Sequence, residues 1–297
     1  MMKMRNFLIV ILSIFESVTT FAQTNLLNAK IPEEIGLKSD AQLNADNDKP
    51  LEYGYVDDRD VLMGKTVWEI IDLSERINFP LYFPIDTANI GSDRRSLYDV
   101  LTKAIRSGEI SEVYSDSYFN TKKSYKDIQA SLTRIDTTDA GKEQINAGIA
   151  ISPEYIVKQD LTSQDVTQYK IKGYWYFDKR QSELKYRLLG ICPVTPDVYT
   201  MNSDEKDYIE LFWVFFPASR DLLHEAKSFN DKNSAMPISF DQILNSRRFN
   251  AVIYQEENVY GDRTIVSYMK DNAQNQLLEA ERVKDKIRDF EENMWNY

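Results

Sequence analysis

Glu256 and Glu257 stand side by side in a chain rich in carboxylates. Two carboxylates flanking a glycosidic bond suffice for hydrolysis, one as acid and one as nucleophile or base. Tyr174 and Tyr176 flank Trp175 and could support sugar rings. Adjacent acids also occur in any acidic sequence as a solvated face, so this pair alone names no reaction. Other chemistries are excluded more firmly. The chain has one histidine, His224, and one cysteine, Cys192. A zinc site needing two imidazoles cannot be built within one chain. A serine triad would have to use His224, which follows Leu222-Leu223 on a helical pattern, and there is no Gly-x-Ser-x-Gly elbow. Cys192 lies in the apolar run Leu188–Pro193 and reads as a small buried hydrophobe rather than a thiolate. It has no intrachain partner, which leaves a bridge to another chain as the alternative. The ten glycines are scattered, so no backbone cradle for a phosphate is formed. No EF-hand series is present. No catalytic residue, metal or cofactor is expected.

The N-terminus states where such a chain works. Lys3 and Arg5 precede an apolar run from Phe7 to Phe15, and small and polar residues lead to Ala22. That order is a secretory signal over residues 1–22. The run is about half of what a membrane-spanning helix needs. No cysteine lies near the cut to carry a lipid. Residues 23–56 are polar and read as a flexible leader, and residues 57–297 as the folded domain. With 42% hydrophobic residues and a net charge of -11, the chain is an acidic globule. It repels nucleic acid and anionic lipid surfaces.

The elements follow from periodicity. Val67–Leu73 suits a strand or a buried helical turn. Pro80 and Pro84 predict extended backbone at Leu81–Phe83. Ser96 caps a helix carrying Leu97, Leu101, Ala104 and Ile105 on one face, closed by Gly108. Ser124 and Asp127 open a second, with Ile128 and Leu132. Alternation at Lys170–Phe177 and Leu184–Leu188 across a polar turn predicts a β-hairpin, covered on one face and partly wet on the other. Tyr208–Phe216 reads as one buried strand stopped by Pro217, followed by a helix over Ala218–Ala226. Ser239 and Gln242 start another helix, with Ile243 and Leu244 inward. Ala251–Tyr254 and Thr264–Met269 suit strands. Ala273, Leu277, Ala280, Val283, Ile287, Phe290, Met294 and Tyr297 form one stripe of a long helix. The fold class is α+β: a mainly antiparallel sheet with packed helices and a long C-terminal amphipathic helix. A protein of this kind works by contact.

The same segments resemble the GldN (PorN) gliding motility family of the type IX secretion system. The match runs from Val67-Trp68, Ile71-Asp72-Leu73, Glu75–Asn78 and Pro80–Tyr82 through Ile105–Glu109 and Trp175–Lys179. It continues over Leu189–Ile191 with Pro193-Val194, Phe212-Trp213, Phe216–Ala218, Arg247–Phe249, Tyr254 and Asn258–Tyr260. It closes on Leu278–Arg282 and Trp295–Tyr297. The resemblance implies a non-catalytic periplasmic subunit at the inner face of the outer membrane. Its implied partners are a GldK (PorK)-like lipoprotein, with which it forms a ring, and a GldM (PorM)-like motor-linked protein. Membrane association would come only through those partners. Candidate interface residues are Tyr174, Tyr176, Ile287, Phe290 and Trp295, each of which could instead complete the core. The rival functions are a secreted carbohydrate-active enzyme and a periplasmic ligand-binding protein.

Overall fold

Strand-forming residues dominate the middle of the chain and set the architecture. The computed structural model describes residues 49–86, 94–148, 153–197, 207–230, 237–270 and 272–294. The expected signal, the leader up to residue 48, Trp295 and Tyr297 lie outside them. The elements run β1 (Val61–Asp72), α1 (Phe79–Tyr82), α2 (Leu97–Ser107), β2 (Val113–Tyr114), β3 (Lys122–Lys123), α3 (Tyr125–Leu132), β4 (Thr133–Thr137), α4 (Asp139–Asn146), β5 (Ile156–Asp160), β6 (Gln168–Asp178), β7 (Glu183–Pro196), β8 (Tyr208–Glu210) and β9 (Trp213–Phe215). Then come α5 (Arg220–Glu225), β10 (Lys227–Ser228), β11 (Ile238–Ser239), α6 (Phe240–Asn245), β12 (Val252–Glu256), α7 (Ile265–Tyr268) and α8 (Ala273–Met294). All belong to one unit, Pro50–Tyr297.

Eight strands form the main sheet in the order β12-β1-β6-β7-β9-β2-β3, with β8 beside the end of β7. Every pairing in it is antiparallel, as the α+β reading requires. The predicted hairpin is β6–β7, longer than its alternation showed. Helix signals also hold. Ser96 Oγ accepts the Asp99 N–H at 3.2 Å, and Gly108 closes α2 at φ 84°, a conformation that costs glycine little. Ser124 and Asp127 form a reciprocal capping box on α3.

Three expectations need correction. Leu81-Tyr82 belong to the helical turn α1, because Pro80 sits in its first turn, where no backbone N–H is needed; only Phe83 is extended. Tyr208–Phe216 is two short strands, not one. Glu210 turns back to accept Trp213 Nε1 at 2.7 Å, while Leu211 bonds Pro193 O and Lys123 Nζ. Pro217 then opens a 3-10 turn, Phe216–Ser219. Thr264–Met269 is mostly helical, as α7. Its sole ladder contact among the described residues is the Gln255–Thr264 bridge.

The helices cover one face of the sheet in two clusters. Leu97, Leu101, Ile128, Leu223, Phe240 and Ile243 pack on Ile71, Tyr169, Ile171, Leu188 and Ile191. Ala280, Val283 and Ile287 of α8 pack with Ile265 on Val67 and Ile253. Between the clusters a buried carboxylate pairs with a half-buried arginine. Glu69 on β1 receives Arg247 Nη1 and Nη2, each at 2.8 Å. Tyr186 donates its hydroxyl to Glu69 at 3.3 Å, and the Arg247 guanidinium lies 4.2 Å from the Tyr186 ring centroid. The ring can lie there because Gly173 has no Cβ; one would overlap it.

Arg247 follows α6 at φ 50°. Its N–H bonds Leu244 O at 3.3 Å, and that of Arg248 bonds Ile243 O at 3.0 Å, the pattern of a Schellman stop, where glycine is usual. Arginine stands at this strained position because its side chain is needed across the sheet. Glycine there would relieve the backbone while losing the ion pair. Arg247→Ala is therefore expected to cost about 3 kcal/mol or more, the penalty of a stranded buried carboxylate. Arg247→Gly should cost about 1 kcal/mol less. Urea unfolding of both variants checks the order; equal losses would contradict the strain argument.

Candidate functional site

Among the described residues, the core cluster on the other face of the sheet contains no helical residue. Trp68, Cys192 and Trp213 are buried there under the rings of Tyr114, Phe119 and Tyr254. The covering loop is fixed by Asp116, whose carboxylate accepts the backbone N–H groups of Tyr118, Asn120 and Thr121 at 2.8, 3.4 and 3.3 Å. Burial alone would raise the Asp116 pKa, but these bonds outweigh it and hold it below the usual range. Phe119 lies across Gly190, where a Cβ would come within 2.6 Å of its ring. Tyr114, Phe119 and Phe215 follow edge to face, with centroids 5.2 and 5.3 Å apart.

Cations are set among these rings. The Lys172 ammonium lies 5.0, 4.8 and 5.5 Å from the centroids of Trp68, Tyr118 and Phe119 and donates to Ser117 O at 3.0 Å. Burial lowers its pKa. Lys170 lies over Tyr254 and bonds Glu210 at 2.7 Å. Tyr174 and Tyr176 stack with centroids 6.0 Å apart. Arg187 lies between Tyr176 and Tyr53, at 5.6 and 4.5 Å. Tyr53, counted with the leader in the sequence, is held by Arg220 at 4.1 Å and by a 2.7 Å bond to Asn245. Beside it a cleft of about 270 Å³ has charged walls that include Glu52, Asp178, Arg180, Lys185 and Arg187.

The expected interface residues therefore divide. Tyr174 and Tyr176 share the aromatic face, but Tyr176 is 7% exposed and offers no open platform for a sugar. Ile287 is core, at 6% exposed. Phe290 is half-buried against Phe177, 5.8 Å away, and Trp295 lies outside the described residues. Glu256 pairs with Lys65 at 2.9 Å, and Glu257 accepts the Thr66 N–H at 3.3 Å. These carboxylates tie β12 and its exit to β1. His224 Nδ1 is 4.0 Å from an Asp241 carboxylate already gripped by Arg220 at 2.8 and 3.2 Å. Cys192 is buried, which pushes its thiol pKa well up. Among the described residues no group of three or more His, Cys, Asp and Glu side chains could hold a metal. Such a surface can make apolar, cation–π and hydrogen-bonded contacts with another chain. Tyrosine and arginine are the types that dominate binding energy at interfaces. Sequence reasoning missed Tyr118, Phe119 and Lys172, whose meeting depends on the Ser115–Thr121 loop folding back.

The phenols on this face predict an alkaline limit. Burial, with neighbouring carboxylates second, raises the pKa of Tyr118, Tyr174 and Tyr254. An unfolded tyrosine ionises near pH 10, at about its ordinary value. The phenols' contribution is thus complete below about pH 10 and lost as pH climbs above it. Lys172, shifted down, works in the opposite sense as a single group. Urea midpoints are expected to fall between about pH 9 and about pH 11, and a midpoint that rises across that interval would contradict the placement of these rings.

The model for the family Gliding motility associated protein GldN matches residues 56–296. No curated protein sequence matches the chain. The match begins just before β1 and extends past the end of α8, so it takes in the sheet, both helix clusters and the aromatic face. The chain belongs to the GldN family of gliding-motility and type IX secretion components.

Proposed function

We propose that this chain is a non-catalytic periplasmic assembly subunit of that machinery. It forms a ring with a GldK (PorK)-like lipoprotein beneath the outer membrane and meets a GldM (PorM)-like motor-linked protein. The observation that carries this reading is the aromatic face, whose core cluster has no helical member among the described residues. Its rings and cations lie on a backbone fixed by Asp116, Gly190 and the sheet itself, an arrangement suited to contact. Glu256 and Glu257 are engaged, one in an ion pair and the other in a backbone bond. A closed ring needs one patch to meet a different patch on its neighbour, and the two faces of this sheet differ in character. No helix among the described residues is long and apolar enough to cross a membrane, and attachment through a lipidated partner fits that.

Chemical crosslinking of intact cells followed by native sizing of the envelope extract tests the reading. The chain is expected in a particle many times its own 34.6 kDa mass, together with a lipoprotein. Recovery as a solitary chain would contradict assembly. Turnover of a glycan, abolished by replacing Glu256 or Glu257, would favour an enzyme. Thermal stabilisation of a monomer by a small molecule would favour a ligand-binding protein.

A further inference from the structure

The turn Asn258–Asp262, between β12 and α7, holds its shape through its own bonds. Asn258 Oδ1 accepts the Tyr260 N–H at 3.0 Å, and Asp262 Oδ1 accepts the Asn258 N–H at 3.0 Å. Asn258 Nδ2 donates to Glu256 O at 3.1 Å. Gly261 and Asp262 take left-handed φ values of 77° and 56°. Tyr118 donates its hydroxyl to Asp262 at 3.2 Å, tying the turn to the aromatic face. The Arg263 guanidinium lies 4.4 Å from the Tyr260 ring and 4.5 Å from that of Tyr268. At the tip, Val259 is 92% exposed and Tyr260 69%. Val259 is the most exposed large hydrophobe among the described residues.

We propose that Val259 and Tyr260 form a plug that seats in a pocket of a different protein chain, apolar at its base and basic at its rim. This rests on the assembly reading above and names a contact within it. The plug is convex and already ordered, so docking costs little conformational entropy. Its flanking carboxylates, Glu256, Glu257 and Asp262, are bonded to Lys65, the Thr66 N–H and Tyr118, so approach strands no acid. Those acids and the net charge of -11 complement a basic rim and oppose an anionic bilayer. The cleft beside Tyr53, lined by Tyr55, Val56 and Tyr176 as well as by charged groups, offers a second copy a place to receive the plug. A large parent particle containing this chain alone would therefore overturn the foreign pocket.

Val259→Asp and, separately, Tyr260→Ala in the full chain test this in the native cell. Both side chains are exposed, so thermal midpoints of the purified variants should stay within about 2 °C of the parent. The share of chain found in the large crosslinked particle should fall about tenfold or more for Val259→Asp. Variants that assemble like a large parent particle would overturn the plug and leave the assembly reading standing. A parent that is itself solitary would overturn both. A midpoint loss of several degrees would assign Val259 to the fold and overturn the plug. So would parent binding to phosphatidylethanolamine–phosphatidylglycerol vesicles that Val259→Asp abolishes.

Discussion

The Glu69–Arg247 ion pair joins the first strand to the loop after α6. It lies on the covered face of the sheet, between the cluster built by α2, α3, α5 and α6 and the one built by α7 and α8. Tyr186, which packs against both clusters, bonds the same carboxylate. A pair of this kind is weak evidence for stability, because well-packed apolar residues often serve as well. What it supplies here is register. β1 shifts its pairing with β12 between Trp68 and Glu69, and the loop after α6 must arrive in one place for Arg247 to reach across. The left-handed backbone at Arg247 shows that the loop is shaped to deliver the guanidinium.

The two faces of the sheet have different characters. One is closed by helices. Among the described residues the other is closed by rings and a short loop, and it carries Lys170, Lys172 and Arg187 on a chain that is acidic as a whole. The acids nearest these cations are bonded within the fold. Rings and cations so placed are groups that can make contact with another chain.

Much of the fold was legible in the sequence where a local rule decides the outcome. Ser96, Ser124 and Gly108 are capping residues with one physical use each, and the strict alternation at Lys170–Phe177 leaves little besides a strand. The departures have separate causes. Pro80 suggests extended backbone, but the first turn of a helix tolerates proline, whereas Pro217 does follow the end of a strand. Tyr208–Phe216 has the composition of one strand, and the break comes from Glu210 and Lys123 bonding across the fold. Ile287 stood open between core and interface because a stripe on a helix does not say which chain it meets; it packs with Val67 and Ile253. Of the site, Tyr174 and Tyr176 were visible by alternation. The Lys172 cage was not, because it joins residues from β1, β6 and the loop before β3.

Native-state hydrogen exchange shows most directly whether the two helix clusters that meet at the ion pair open together with the sheet. Backbone amides of α8 from Ala280 to Ile287 are expected to exchange with the same free energy as those of β1 and β6, through a shared global opening. Exchange of α8 at a far lower free energy, with β1 and β6 still protected, would show that the two clusters open independently and would contradict this expectation.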